Sequence, residues 1–339
     1  MSKRYLLALA LLGLCSCASQ QQEQYVLSSP PPEAPAVPQA APTPIDPSLR
    51  AAARQVLLSQ VDADNATLRS NAIEALADSD AKDATGPILD GLSDPDPGVR
   101  FTACMAVGQL HLSQAHAELL RMHDSDESTV VQIGIRFALH KLGDRRYSHD
   151  LEAFSVSPSP EIRGKTALVL GLLGEPSAIG LLKPMLQDPS EPIRVQAAES
   201  LWRLGSDDGL QALAGYAISG YPDDAILATL AMAAPRDQRL IGQIRGNLIS
   251  DFPEVRLATA RALGMLGSDE GYTIAVRGTS SLDPRQRFLA ALALGAIGRS
   301  DAQSKLAPLL KDGNPAVRIG AATAILELRP PAEQEATNG

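Results

Sequence analysis

Nine stretches of this chain repeat one pattern at a fixed interval: a capping residue, often a proline, an apolar residue, an arginine, then an Ala- and Leu-rich run. DPGVRFTACMAVGQL, SPEIRGKTALVLGLLG, SEPIRVQAAESLWRLG, DPRQRFLAALALGAIG and NPAVRIGAATAILEL show it most plainly. The arginines are Arg69, Arg100, Arg163, Arg194, Arg256, Arg287 and Arg318, with Gln132 and Ala225 in the two remaining slots. Successive slots lie 31 residues apart, with one step of 32. A period of this size describes a row of small helical units, each burying its apolar face against its neighbours, and not a globule around one centre.

Each unit carries its own start and stop signals. Four residues before the slot stand Asn65, Asp96, Ser128, Ser159, Ser190, Asp283 and Asn314, residue types that accept hydrogen bonds from the free amides of a helix start. Pro97, Pro160, Pro253, Pro284 and Pro315 follow at the first helical place. Gly143, Gly174, Gly205, Gly267 and Gly298 are placed to close the helix in the left-handed conformation. The spacing predicts a second helix of about 14 residues per unit. A first helix precedes it, as in residues 175–187 and 300–311. On a helical wheel Val99, Ala103, Ala106, Val107 and Leu110 form the core arc, flanked in register by Gly108, Gly171, Gly264 and Gly295, which permit close helix contact.

The slot arginine projects towards the core arc, where an unpaired guanidinium is costly. Asp94, Asp188 and Asp312 stand six residues before Arg100, Arg194 and Arg318, within reach of them. The ladder Arg69, Arg100, Arg163, Arg194, Arg256, Arg287 and Arg318 is therefore read as structural, bonded to turn carbonyls or to Asp between units. A basic stripe for an anionic ligand is the competing reading. Aromatics make up 4% of the chain against 45% hydrophobic residues, which suits close helix packing better than an aromatic-lined pocket.

The front of the chain is an address. Lys3 and Arg4 precede an apolar run at residues 5–14 and small residues around cysteine, the form of an export signal too short to span a bilayer as a permanent helix. Leu14-Cys15-Ser16-Cys17 resembles the lipobox of bacterial lipoproteins. That resemblance implies cleavage after Ser16, lipidation of Cys17 and, with Ala18 following, an outer-membrane anchor facing the periplasm. Residues 17–47, rich in Gln and Pro, cannot bury enough surface to fold and read as a lipidated N-terminus and disordered linker. Residues 330–339 read as a disordered tail. Cys104 would then be the one cysteine of the helical body, standing where sibling units carry Ala, a packing residue with no disulfide partner. The formal charge of −9 becomes −11 once Lys3 and Arg4 leave, which disfavours nucleic-acid binding.

The cap–Pro–apolar–Arg–Ala–Leu–Gly pattern resembles HEAT repeats, specifically the short bacterial type grouped with the phycobilisome-lyase HEAT-like family. The resemblance covers residues 48–329 and implies an all-α fold, an α-α superhelix or HEAT-repeat solenoid of about nine two-helix units behind a disordered Pro-rich tether. In such solenoids the second helix lines the concave side. The wheel then centres the free face on Met105, Phe137, Lys141, Leu168, Leu172, Glu199, Arg203, Arg261, Met265 and Leu292, while Trp202 and His140 stand where siblings have Gly. Phe137, Lys141, Leu168, Leu172, Glu199, Trp202, Arg203, Arg261 and Met265 form the expected partner-binding face, with packing between units as the alternative for Trp202.

The resemblance implies a non-enzymatic, membrane-anchored, monomeric scaffold or adaptor that binds protein partners. The alternative is a metal- or cofactor-dependent HEAT-like enzyme, related to the hydroxylases or bilin lyases. Deoxyhypusine hydroxylase, built from similar repeats, binds iron through His-Glu dipeptides, and this chain has none. His111, His116, His123, His140 and His149 all fall in one window, yet without HExxH or comparable ligand spacing. No catalytic residue, metal site or cofactor is expected.

Overall fold

A computed structural model of the chain describes residues 43–79 and 84–329. The signal segment, Cys17 and most of the expected linker lie outside the described residues, as does the tail. The described residues are helical throughout, with turns and no strand. They form two compact bodies, Leu57–Tyr216 and residues 43–56 with 217–329, the division falling inside the helices Pro47–Gln60 and Asp207–Ala217.

The second helices of the nine units are α2 (Ala66–Asp78), α4 (Pro97–Leu110), α6 (Thr129–Lys141), α8 (Pro160–Leu173), α10 (Glu191–Arg203), α12 (Pro222–Ala233), α14 (Pro253–Met265), α16 (Pro284–Ile297) and α18 (Pro315–Glu327). In one body α2, α4, α6, α8 and α10 pack each on the next; in the other α12, α14, α16 and α18 do so. The first helices, which take the odd numbers from α1 (Pro47–Gln60) on, are unbroken at Pro47–Gln60 and Asp207–Ala217, but several are short and split into α and 3-10 pieces, such as Pro176–Ala178 with Ile179–Met185, or Ser300–Ala302, Gln303–Leu306 and Ala307–Lys311. Pro184 and Pro308 remove backbone donors there, so these segments turn more tightly than the single helices the pattern suggested.

The caps follow the sequence in part. Asn65, Asp96, Ser128, Asp283 and Asn314 accept backbone amides at their helix starts. Ser159 and Ser190 make no such bond, although their backbone leaves the helix at the same place. The closing position, eleven residues after the slot, is left-handed at all five expected glycines, and also at His111 (φ 53°) and Arg236 (φ 63°). The geometry of the unit thus holds even where the residue resists it.

Close approach is real where the small residues stand. A Cβ on Gly264 would meet the Ile297 amide nitrogen at 2.5 Å, and one on Gly171 would meet Ser200 Oγ at 2.5 Å. Val99, Ala103, Ala106 and Val107 are buried as the wheel placed them, whereas Leu110 is half-buried. Cys104 is buried beside them, and burial pushes its thiol up, out of the reactive range.

The folded part begins before the expected boundary at Pro47. Thr43 N donates to Ser300 Oγ at 3.2 Å, Asp46 N to Gln303 Oε1 at 3.0 Å, and Arg50 Nη2 to the Leu328 carbonyl at 2.6 Å. Residues 43–50 are therefore strapped to the ninth unit and help to cover the end of its row, where a repeat array needs a cap.

Arg236→Gly removes a side chain from a left-handed position that costs an L-residue about 1 kcal/mol. Chemical denaturation is expected to show the variant more stable by about that amount; an unchanged or lower midpoint would contradict the assignment.

Candidate protein-binding face

The ladder arginines sit inside the turns and not on a free surface. In each of the seven, Nη1 donates to the carbonyls six and five residues earlier: Asp94 and Pro95 for Arg100, Ser157 and Pro158 for Arg163, Asp312 and Gly313 for Arg318. The other edge of the guanidinium reaches the following unit. Arg69 pairs with Asp94, Arg100 with Asp126, Arg163 with Asp188 and Arg287 with Asp312, all at 2.6–3.1 Å.

The acid six residues before an arginine therefore does not give that arginine its carboxylate, as the spacing suggested. It offers its own arginine a backbone carbonyl and the preceding unit's arginine its carboxylate. The same carboxylate also accepts the backbone N–H two residues on, at Asp96, Ser128, Ser190 and Asn314. Bonds to Arg163 hold the Asp188 carboxyl below the usual carboxylate range, and Arg287 does the same for Asp312. At Asp94 burial is the strongest single influence and opposes ionisation, but Arg69, the Asp96 amide and Arg100 together outweigh it and hold the carboxyl below its ordinary range.

Gln132 substitutes by donating to the Met122, His123 and Asp126 carbonyls, while Arg136, one turn later, takes the acid at Asp150 and lies over the Phe154 ring. Arg194 ends on the Tyr216 hydroxyl at 2.9 Å.

The expected partner face divides between the bodies. Phe137, Lys141, Leu168, Leu172, Glu199, Trp202 and Arg203 belong to Leu57–Tyr216, whereas Arg261 and Met265, both half-buried, belong to the other. In the first body two of the apolar members are not exposed: Phe137 is 3% and Leu168 4% accessible. A second helix inside the row packs on those before and after it, so at Met105, Phe137, Leu168 and Leu292 the wheel position five after the slot is covered by a neighbouring helix, while Glu199 and Arg261 at the same position stay half-buried. The Phe137 ring lies over Gly108, where a Cβ would come within 2.7 Å. Met105 and Leu292 are buried for the same reason. His140 also faces the next unit, its Nε2 3.2 Å from Glu175 Oε1, and burial lowers its basicity.

What remains accessible is a half-buried, mostly polar strip. Lys141 Nζ lies 5.6 Å from the Phe137 ring centre and donates to the Leu173 carbonyl at 3.3 Å; burial lowers its basicity. Arg203 Nη2 donates to Glu199 Oε1 at 2.6 Å, and Gln196 Nε2 reaches the other oxygen at 3.2 Å. Leu172, in the register of Lys141 and Arg203, and Trp202, one position earlier, are also half-buried. Lys165, Nζ 4.6 Å from the Phe101 ring centre, is a further half-buried cation of this body that the wheel did not single out. Its signal was a lysine two residues after a slot, where most siblings are apolar or small.

The histidines have separate surroundings. His111 Nδ1 lies 3.0 Å from the Lys141 carbonyl oxygen, His123 stacks on Tyr147, and His116 Nε2 is 3.9 Å from Asp144. Among the described residues no three of His, Cys, Asp and Glu gather as a metal site would require, and no helix is long and apolar enough to cross a membrane.

Stacked helix pairs joined by an inter-unit Arg–Asp stitch define an α-solenoid repeat protein. The family model for HEAT repeats matches residues 53–140 and 151–234, and the chain belongs to the HEAT-repeat family. No curated protein matches it in sequence. Among solved structures it is similar to the complex of CpcE and CpcF of phycocyanin lyase from Nostoc sp. PCC7120, at 16% identity over 74% of this chain and 97% of that one, TM-score 0.43. Human deoxyhypusine hydroxylase in complex with glycerol aligns at 16% identity over 82% and 96%, TM-score 0.36. The karyopherin Kap121p bound to the extreme C-terminus of the protein phosphatase Cdc14p aligns at 14% over 82% and 37%, TM-score 0.36.

The depressed ladder carboxylates set a direction for pH. Their contribution is complete above the ordinary carboxylate range and is lost as pH falls through their lowered values. Thermal unfolding from pH 7 to 3 is expected to show a falling midpoint, with a shallower fall in Asp188→Asn. Equal slopes in the two proteins would contradict this.

Proposed function

We propose that this protein is a non-enzymatic, monomeric HEAT-repeat scaffold, tethered by a lipid on Cys17 to the bacterial outer membrane on its periplasmic side, that docks a protein partner. The observation that carries the docking reading is the strip Lys141, Leu172, Glu199, Trp202 and Arg203. There an indole stands where most sibling units carry Gly or Ala, beside half-buried charged side chains, Lys141 donating to the Leu173 carbonyl and Arg203 to Glu199. A fixed, partly desolvated aromatic and charged strip is the composition that concentrates binding energy at interfaces. The lipid reading rests on the Leu14-Cys15-Ser16-Cys17 sequence.

Photo-crosslinking from position 172 in cells, with and without Trp202→Ala and Arg203→Glu, tests the docking. One dominant crosslinked protein, lost in either variant while thermal stability changes little, is expected; an unchanged crosslink pattern would contradict it. Cys17→Ser is expected to move the protein from the membrane to the soluble fraction, and retention on the membrane would overturn the anchor. Metal analysis of the purified mature chain bears on the non-enzymatic reading, which a stoichiometric tightly bound metal would sink.

A further inference from the structure

Three consecutive units of one body expose apolar side chains in the turns before their second helices, and two of them, with Tyr221 and Phe252, also lack a polar cap residue. The turns leading into α12, α14 and α16 read ISGYPDD, ISDFPE and SSLDPR. Ile218 and Ile249 are each 82% accessible, Tyr221 is 71% and Leu282 is 98%, with Phe252 also exposed. Among the described residues the one other large apolar side chain so exposed is Val156.

The placement is periodic. Ile218 and Ile249 stand seven residues before their slots, and Tyr221 and Phe252 four before, so the same pair recurs 31 residues on. α12 packs on α14 and α14 on α16, and Arg285 at the start of α16 pairs with Asp223 at the start of α12, so the three N-terminal turns lie at one end of this group. The five side chains stand on these neighbouring turns as one ridge.

The ridge has a local cost. Tyr221 and Phe252 occupy the cap position, where Asp96, Asp283 and Asn314 bond the helix amides, and neither makes a side-chain cap bond. A polar cap contributes about 1 kcal/mol; Tyr221, 71% accessible, gains little burial in exchange, while Phe252 is 37% accessible. A polar cap replaced by an aromatic twice in register marks a surface that is covered in use.

Charge selects what covers it. The turns carry Asp223, Asp224, Asp251, Glu254 and Asp283. Three nearby guanidiniums are engaged within the turns: Arg256 donates to the Ser250 and Asp251 carbonyls, Arg287 to the Ser281 and Leu282 carbonyls and to Asp312, and Arg285 pairs with Asp223; of the exposed ones Arg245 pairs with Glu270, and Arg277 stands five residues before Leu282. An apolar ridge set among carboxylates repels a second copy of itself and an anionic bilayer alike, and attracts a cationic apolar chain. We propose that the ridge Ile218–Tyr221–Ile249–Phe252–Leu282 docks a basic, amphipathic segment of a protein partner, a surface separate from the strip containing Trp202.

The test uses the full mature chain and a labelled amphipathic helical peptide of Leu and Lys, with a Leu and Glu peptide of the same pattern as control. Tyr221→Asn with Phe252→Asn restores the cap type of the sibling units without altering charge. Leu282→Ser, at a side chain almost wholly in solvent, is an independent ridge variant that leaves the fold alone. Binding of the Lys peptide to the wild type is expected, at least about tenfold weaker in the double variant and weakened in Leu282→Ser, with the double variant's Tm equal or higher and the Glu peptide unbound. Equal binding by all forms would overturn the proposal. So would ridge-dependent binding of phosphatidylcholine vesicles in place of the peptide, or a ridge-dependent dimer in sedimentation.

Discussion

The slot arginine ties neighbouring units together where it is used on both edges, as at Arg69, Arg100, Arg163 and Arg287. Its Nη1 satisfies two turn carbonyls that no helix or sheet could reach, and buried backbone acceptors left bare would be costly. Its other edge crosses to a carboxylate that belongs to the next turn. That aspartate is itself fixed by a backbone N–H two residues on, so each turn is tied to its own helix and to the unit before it. The sequence separation across the stitch is 25 residues at Arg69, Arg163 and Arg287, and 26 at Arg100. The one long step of the repeat, from Arg100 to Gln132, thus places its extra residue ahead of Asp126, and the stitch survives it.

Interruptions of the stitch carry as much information as its presence. Gln132 keeps the carbonyl half and passes the acid to Arg136; Arg194 meets a phenol; Ala225 has no guanidinium; Arg256 bonds carbonyls without an acid among its hydrogen bonds. The last two stand in the same units whose caps are Tyr221 and Phe252. Relaxed structural demands and exposed apolar side chains coincide there, which separates positions that maintain the row from positions free to meet something else.

Much of this was legible in the sequence, because repetition averages out local ambiguity. The slot, the cap, the closing glycine and the close-contact glycine each recur in register, so the helix pairs and their order could be read directly. Three things could not. A helical wheel treats a helix as lying on one surface, but a second helix is flanked on both sides by others, so Phe137, Leu168 and His140 are covered by neighbours the wheel does not contain. The turn carbonyls and the inter-unit aspartates were readable as the partners of the slot arginine, but which aspartate serves which arginine was not, since nearness along the chain favoured the acid six residues back over one 25 residues ahead. The strap of residues 43–50 on the ninth unit has no periodic signature at all, and only contacts over more than 250 residues reveal it.

The most direct measurement of the stitch is a double-mutant cycle on Arg163 and Asp188, read by urea unfolding of wild type, Arg163→Ala, Asp188→Ala and the pair. If the two edges of the guanidinium join neighbouring units as described, each single change destabilises and the double costs less than their sum, with a coupling of about 2 kcal/mol. Strictly additive losses would mean that the arginine acts within its own turn alone, and that packing, not the stitch, joins the units.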